Sequence, residues 1–283
     1  MITLASDFGS PYPAAMKGVV LSRCDARLVD VAHDFPRQDV RTAAFWLREV
    51  LPWFPPAVHC AVIDPGVGTD RAALVVRAGE TALVGPDNGL LVPTARAIAG
   101  SDGGESGGSA ESATDDLRVY EWRADDPASS TFHGRDVFAP AAAAVHEALA
   151  GAGWPAAAEG EADPVAALDR AARTDDWTDL RFPAPDSASD LDGAATGEVL
   201  VVDGFGNAIT DLPGDLLAGR ERVRVNGDPY PVARAYAELP AGEPLVTVGS
   251  HGNVELAVNR GRGEAAFGVG VGDPVRLSEP SSD

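Results

Sequence analysis

The sequence predicts two modules: an α/β domain with a largely parallel sheet over residues 1–185, and an all-β, barrel-like domain over residues 193–283. Three observations carry this prediction. Short apolar runs alternate with helical periodicity through the first half, the pattern of βαβ units. An acidic stretch at 175–192, containing Pro183 and Pro185, interrupts that pattern and marks a candidate boundary. Beyond it only short β-like segments follow, punctuated by Gly, Asn and Asp turns.

The elements follow in order. Residues 2–5 are a short apolar strand, 16–22 the start of a helix, and 28–32 a second strand. Over 39–50, Val40, Ala43, Ala44, Leu47 and Val50 recur at helical spacing, with Arg41, Arg48 and Glu49 on other faces. Residues 58–63 form a continuous apolar run ending in the turn Asp64-Pro65-Gly66. Two more strands, 73–77 and 81–84, flank the turn Ala78-Gly79-Glu80. A helix over 89–99 follows Asp87 and Asn88, whose side chains suit an N-terminus. Residues 100–116 are acidic and Gly/Ser-rich, with too little apolar area to offset their ordering entropy, so a mobile, dispensable loop is expected. Residues 138–149 read as a helix of small side chains. In the second module, strands are predicted at 197–203, 222–225, 244–249, 254–259 and 274–277. Ligands of parallel α/β sheets gather at the carboxyl ends of the strands, and Asp7 and Asp64 both follow such an end.

Composition narrows the functional classes. The chain has 283 residues, 45% apolar, enough for a sizeable core, and a net charge of −21. That charge repels phosphate backbones and anionic lipid surfaces, which excludes nucleic-acid and membrane-surface roles. Lys17 is the only lysine; acidic excess with scarce lysine points to a halophilic protein, whose self-repulsion concentrated salt screens. Two cysteines make no disulfide framework, and MITLASDFGS has neither the basic nor the apolar part of a signal peptide, so a cytoplasmic location is expected. The Ala-rich stretch 139–158 contains His146, Glu147, Gly151, Gly153 and Pro155 and is no membrane span.

Five places carry possible chemistry. Asp7, in the Asp7-Phe8-Gly9 turn, is either a turn-forming carboxylate or a bidentate acceptor for a ribose diol. In Asp64-Pro65-Gly66-Val67-Gly68-Thr69-Asp70-Arg71 the glycines allow close approach to a ligand; otherwise this is a turn with a surface ion pair between Asp70 and Arg71. It is not a phosphate-binding Walker loop, having no Gly-Lys-Ser/Thr. In Thr131-Phe132-His133-Gly134-Arg135-Asp136, His133 either belongs to a helix-capping cluster or steers a water molecule. Gly204-Phe205-Gly206-Asn207 and Gly249-Ser250-His251-Gly252 are β turns, but Phe205 between two glycines is well placed to stack on a flat ligand. No His spacing typical of a metal site and no Gly-x-Ser-x-Gly elbow occurs.

Together these segments closely resemble the S-adenosyl-L-methionine (SAM) hydroxide adenosyltransferases, relatives of the fluorinases and chlorinases. The stretches are ITLASDFG (2–9), MKGVV (16–20), IDPGVGT (63–69), GPDNGLL (85–91), TFHGRDVFAP (131–140), VVDGFGNAIT (201–210) and 249–261, in family order across nearly the whole chain. The resemblance implies attack of water on C5′ of SAM, releasing adenosine and L-methionine without a cofactor or metal. It implies a homotrimer with substrate held between the large domain of one subunit and the small domain of the next. The family's Asp-Arg-His set falls on Asp64, Arg71 and His133, and its ribose ligand on Asp7. Phe132 lies in a matching stretch and Tyr12 in the Pro-Tyr pair that follows the Asp-Phe-Gly loop, and Phe205, Asn207, Ser250, Glu255 and Val258 fall on adenine- and methionine-contacting positions. Halogenating relatives carry tyrosines in place of Asp64 and His133, and fluorinases insert a long loop before the segment matching 85–91. Both differences favour a hydrolase over a SAM-dependent halogenase; a non-catalytic adenosine or SAM binding module is the other alternative. One departure stands out: the family's longer loop after Asp-Phe-Gly carries an extra acidic residue, whereas here Ser10-Pro11-Tyr12 follows directly. The resemblance therefore assigns no ligand to the methionine ammonium at that loop.

Overall fold

The computed structural model describes residues 1–102, 117–154, 163–183 and 194–280, so most of the 100–116 loop and the second half of the 175–192 stretch lie outside the described residues. The chain divides into two compact units, Met1–Arg181 and Phe182–Asp283.

The first unit is an α/β layer. Its elements are β1 (Ile2–Ser6), α1 (Tyr12–Leu21), β2 (Leu28–Ala32), α2 (Val40–Val50), β3 (Val58–Val62), β4 (Ala73–Ala78), β5 (Thr81–Pro86), α3 (Val92–Asp102), β6 (Arg118–Trp122), α4 (Ala139–Gly151) and β7 (Ala171–Arg173). The sheet order is β2-β1-β3-β5-β4-β6-β7. The first four strands are parallel, and β4, β6 and β7 extend the sheet with antiparallel pairings. β1 and β3 are buried along their whole length, which explains their mostly apolar sequences. They pair in register, Ile2 with Val58 through Ser6 with Val62, so Asp7 and Asp64 leave the sheet side by side at one edge.

Each helix docks for a local reason. α2 is capped by Asp39, whose carboxylate accepts from the Thr42 N–H (2.9 Å), and it buries Ala43, Ala44, Phe45 and Leu47. α4 buries Ala139, Ala141, Ala142, Ala143, Val145 and Leu149; such small side chains let the helix lie close against β1, β3 and β5 while losing little rotamer entropy. α1 begins at Tyr12, four residues before the predicted start, with a proline in its first turn, where the missing N–H costs nothing. α3 begins later than predicted because Asn88 closes a turn instead: it donates to the Ile63 carbonyl (2.9 Å) and accepts from Leu90 N–H (3.2 Å).

The second unit is an antiparallel sheet, β11-β10-β14-β8-β9-β13-β12, as the all-β prediction required. Its strands are β8 (Ala195–Val202), β9 (Ala208–Pro213), β10 (Arg222–Val225), β11 (Asp228–Pro231), β12 (Pro244–Val248), β13 (Asn253–Val258) and β14 (Pro274–Ser278). The two end strands nearly close it into a barrel: Val232, just past β11, bridges to Val246 of β12. The core holds Val199, Leu212, Val223, Val246, Val254, Leu256, Val275 and Leu277. The expectation of strands alone was incomplete, since the short α5 (Gly263–Phe267) follows β13.

Candidate active site

At the carboxyl edge of β1 and β3 a cavity of about 710 Å³ opens, lined by Asp7, Tyr12, Asp64, Phe132 and His133 among others. Five of the residues singled out in this unit therefore share one wall-to-wall space.

Asp64 is held at both oxygens. Oδ2 accepts from Arg71 Nη2 at 2.5 Å, and Oδ1 accepts from the Gly66 N–H at 3.1 Å. The side chains are 3% and 12% exposed, so the ion pair is shielded from solvent screening. Arg71 is itself fixed by a bond to the Ala72 carbonyl and lies over the Phe138 ring, 5.5 Å from its centroid. The surface pairing of Arg71 with Asp70 considered from sequence is not found; Arg71 reaches back seven residues to Asp64 instead.

His133 stands immediately before a π-helical turn, Gly134–Phe138, which leads into α4. Such wide turns re-aim side chains and recur at functional sites. Its ring makes no capping bond; the capping cluster exists without it, as Arg135 grips Asp136 through Nε (2.6 Å) and Nη2 (2.8 Å) and Asp136 accepts from Ser129 N–H. Arg135 holds the Asp136 carboxyl below the usual carboxylate range. Two glycines seat this loop. A Cβ on Gly68 (φ +83°) would stand 2.7 Å from the Ser130 carbonyl, so only glycine lets the Asp64 loop touch the segment before His133. A Cβ on Gly134 would stand 2.9 Å from Phe8 and 3.1 Å from Met16.

Asp7 is 9% exposed and its Oδ2 accepts from the Gln38 N–H at 2.7 Å. Gln38, with φ +62°, and Arg37 both line the cavity, and neither was singled out from sequence. Gln38 acts through its backbone, which no side-chain pattern reveals. Phe132 meets Phe8 and Tyr12 edge-on, with centroids 6.0 and 5.5 Å apart, giving the cavity an aromatic side.

In the second unit, Asn207 is 5% exposed and Glu255 4%, while Phe205 is 80% exposed on the turn after β8. Asp203 builds that turn: its Oδ1 accepts from Phe205 N–H (2.9 Å) and Asn207 N–H (2.8 Å), and its Oδ2 from Asn207 Nδ2 (3.0 Å). Tyr236 joins the group, donating to Glu255 Oε1 at 2.5 Å and accepting from Asn207 Nδ2 at 3.4 Å. His251 Nε2 lies 3.7 Å from Glu255 Oε2. Ser250 is exposed in the turn between β12 and β13, and Val258, 8% exposed, ends β13 beside Gly261. Asn207 and Glu255 thus share a network through Tyr236. Among the described residues, no group of three or more His, Cys, Asp or Glu side chains is placed to hold a metal ion.

Asp64, held from behind by Arg71, and His133 thus line one cavity in the first unit, and comparison with known proteins identifies the family. The model of the SAM hydroxide adenosyltransferase N-terminal domain matches residues 2–152, and that of the C-terminal domain matches residues 197–276. The chain belongs to the SAM hydroxide adenosyltransferase family. This member is 42% identical over 282 residues to an (R)-S-adenosyl-L-methionine hydrolase of Thermus thermophilus, covering 96% of this chain and 97% of that protein. It is 39% identical over 281 residues to the enzyme of the same name from Salinispora tropica, covering 98% and 97%. The crystal structure of an uncharacterized conserved protein from Thermotoga maritima superposes with a TM-score of 0.75 at 30% identity, covering 99% of this chain and all of that one. Within the SAM hydroxide adenosyltransferases both halves of this chain are therefore accounted for.

Proposed function

We infer that the chain hydrolyses SAM to adenosine and L-methionine. The observation that carries this is Asp64, held by Arg71, lining with His133 and Asp7 a single cavity.

The chemistry follows from the substrate. The sulfonium departs as a neutral thioether, so the leaving group needs neither a proton nor a Lewis acid. The barrier lies in placing a partly deprotonated water in line with the C5′–S bond and away from bulk solvent. Water oxygen bonds to C5′, the C5′–S electron pair returns to sulfur, and one proton leaves the water. Asp64 receives or polarises that proton, Arg71 keeps the carboxylate oriented, and His133 completes the hydrogen bonding of the water. Asp7, aimed by the Gln38 N–H, holds the ribose hydroxyls, with Tyr12 and Phe132 as apolar walls. Phe205, Asn207, Ser250, Glu255 and Val258 serve the adenine and methionine ends.

A buried anion at position 64 repels halide, and β4 and β5 are joined by the tight Gly79-Glu80 turn, without the fluorinase insertion; both favour water over chloride or fluoride as nucleophile. The names of the relatives extend the proposal to the (R)-sulfonium epimer. We also propose the homotrimer, which the exposed Phe205 supports, and a cytoplasmic, salt-adapted protein; no helix among the described residues is long and apolar enough to cross a membrane. Incubation with each resolved SAM epimer, followed by chromatography, tests the reading. Equimolar adenosine and methionine, unaffected by halide or chelator, are expected; intact SAM identifies a binding module and a halogenated nucleoside a halogenase. Light scattering of the purified protein tests the trimer.

A further inference from the structure

The stretch MKGVV (16–20) contains the only lysine of the chain, and the reaction above makes no use of it. Its partners lead back to Asp7. From α1, Lys17 Nζ donates to Asp30 Oδ2 at 2.6 Å, and the other Asp30 oxygen lies 3.0 Å from His33 Nε2. His33 Nδ1 lies 2.8 Å from the hydroxyl of Ser6, the residue before Asp7. Hydrogen-bond polarity runs one way along this chain. A carboxylate only accepts, so Nε2 carries a proton, and in the neutral ring Nδ1 then accepts from Ser6 Oγ. Burial works against the Asp30 anion, but the bonds from Lys17 and His33 prevail and hold its carboxyl below the usual range. The Lys17 and Asp30 side chains are 34% and 45% exposed, so their pairing adds little stability. What Asp30 does is aim the His33 ring.

The main chain of His33 makes a second contact on the other side of Asp7, where its carbonyl accepts from the Gly9 N–H at 2.8 Å. One residue thus grips the turn before Asp7 with its ring and after Asp7 with its backbone. The grip stands where the sheet stops providing one. β1 and β2 pair from Ile2 with Leu28 to Ala5 with Ala32, with a register shift after Leu4; Ser6 pairs with Val62 of β3 but lies beyond the β2 ladder. Gln38, whose N–H fixes Asp7 Oδ2, rides on the loop that starts at His33 and ends where Asp39 caps α2. Gln38 holds one carboxylate oxygen, whereas His33 joins the two backbone segments that bring Gln38 and Asp7 together. The two jobs are separate.

We propose that His33 is a positioning residue for ribose recognition: the Lys17–Asp30–His33–Ser6 chain and the His33 carbonyl pre-set the Asp7 turn, so that its carboxylate meets both ribose hydroxyls without reordering. This rests on the reading above that Asp7 holds the ribose diol. Ser6 is fully buried, so in His33→Leu its hydroxyl loses the ring as acceptor with no water to replace it. The turn then shifts against the Gln38 loop, and affinity for the diol falls while affinity for the rest of the nucleoside stays.

The test is calorimetric titration of the full-length protein with adenosine and with 2′,3′-dideoxyadenosine, which lacks both hydroxyls. Hydrogen bonds to a carboxylate give wild type a preference for adenosine of about 10- to 100-fold, which Asp7→Ala should abolish. His33→Leu and Ser6→Ala should each narrow the ratio by at least about threefold, with adenosine weakened and the dideoxynucleoside unaffected. Ser6→Ala removes only a hydroxyl, so the test survives if His33→Leu does not fold. His33→Asn, whose Oδ1 still accepts from Ser6, should restore most of the ratio. In the Asp7→Ala background, His33→Leu should change nothing further. A ratio kept by His33→Leu and Ser6→Ala but lost in Asp7→Ala overturns the His33 proposal alone, and so does equal weakening of both nucleosides, the mark of a general loss of packing. A ratio that survives Asp7→Ala overturns the ribose reading and the proposal with it. SAM hydrolysis on the same samples should show a raised KM with kcat unchanged in the His33 and Ser6 variants. The expected ratios without hydrolysis in wild type sink the assigned activity and leave the role of His33 standing.

Discussion

Replacing Asp64 by asparagine removes one negative charge and keeps the shape of the side chain. The carboxylate is 3% exposed, so no solvent screening softens the change, and the Gly66 N–H still finds an oxygen. The new amide cannot accept a proton from water at neutral pH, and it no longer neutralises Arg71. Loss of a positioned acid–base group lowers turnover by about 10²–10⁴, which is about 2.7–5.4 kcal/mol of transition-state stabilisation at 1.36 kcal/mol per decade. The folded state also suffers. Removing one partner of a buried pair costs about 3–5 kcal/mol, but Arg71 keeps its bond to Ala72 and its place over Phe138, so a loss of about 1–3 kcal/mol is expected. The assay is single-turnover release of adenosine under saturating SAM, alongside a thermal melt. A rate within threefold of wild type refutes the assignment of Asp64 to the water. A raised KM with unchanged kcat would instead make it a substrate ligand.

The other perturbations probe neighbouring parts of the same argument. His133→Ala should lower kcat at least about tenfold with little change in KM; a wild-type rate removes the imidazole from the reaction. Asp7→Ala should act on KM, since the ribose is bound equally before and during reaction, and a pure kcat effect would contradict that role. His59 is a structural pH sensor: burial pushes its imidazole down to about 4, and Nδ1 is tied to the Thr3 hydroxyl at 2.7 Å. The unfolded chain binds this proton below about pH 6.5 and the folded chain only near 4, so the contribution is full above 6.5 and is lost as pH falls between them, about 3 kcal/mol in all; urea melts of His59→Gln should lack this part of the slope. With a net charge of −21, the melting temperature should rise between 0.1 and 3 M KCl, and equal values would end the halophilic reading.

The parts of the fold that were readable are those in which local pattern and burial agree. β1 and β3 are buried on both faces and read as plain apolar runs; α2 carries its cap and its stripe together. The strands that escaped notice break those rules. β6 (RVYEW) follows a low-complexity stretch, β7 is three residues long, and β11 (DPYP) has two prolines, which sequence reads as a turn and an edge strand tolerates. β9 hides Asp211 within its run, where the carboxylate is 8% exposed and accepts from Glu198 N–H at 2.8 Å. At the site, Asp7, Asp64 and His133 came from turn chemistry and family motifs. The pairing of Arg71 with Asp64 came with the family's Asp-Arg-His set, though through one oxygen and not the two expected, since the other accepts from Gly66 N–H; the backbone donor at Gln38 and the hydroxyl of Tyr236 depend on folding in three dimensions, and no local signal marks them.

The strand registers also decide where the chain can grow. β6 starts at Arg118 opposite Arg77, Arg77 lies opposite Ala82, Ala82 opposite Val58 and Val58 opposite Ile2. The Gly/Ser-rich insert that precedes β6 therefore rejoins the sheet on the rim farthest from Asp7 and Asp64. A fluorescent reporter spliced ahead of β6 is therefore expected to leave the Asp7 and Asp64 rim untouched.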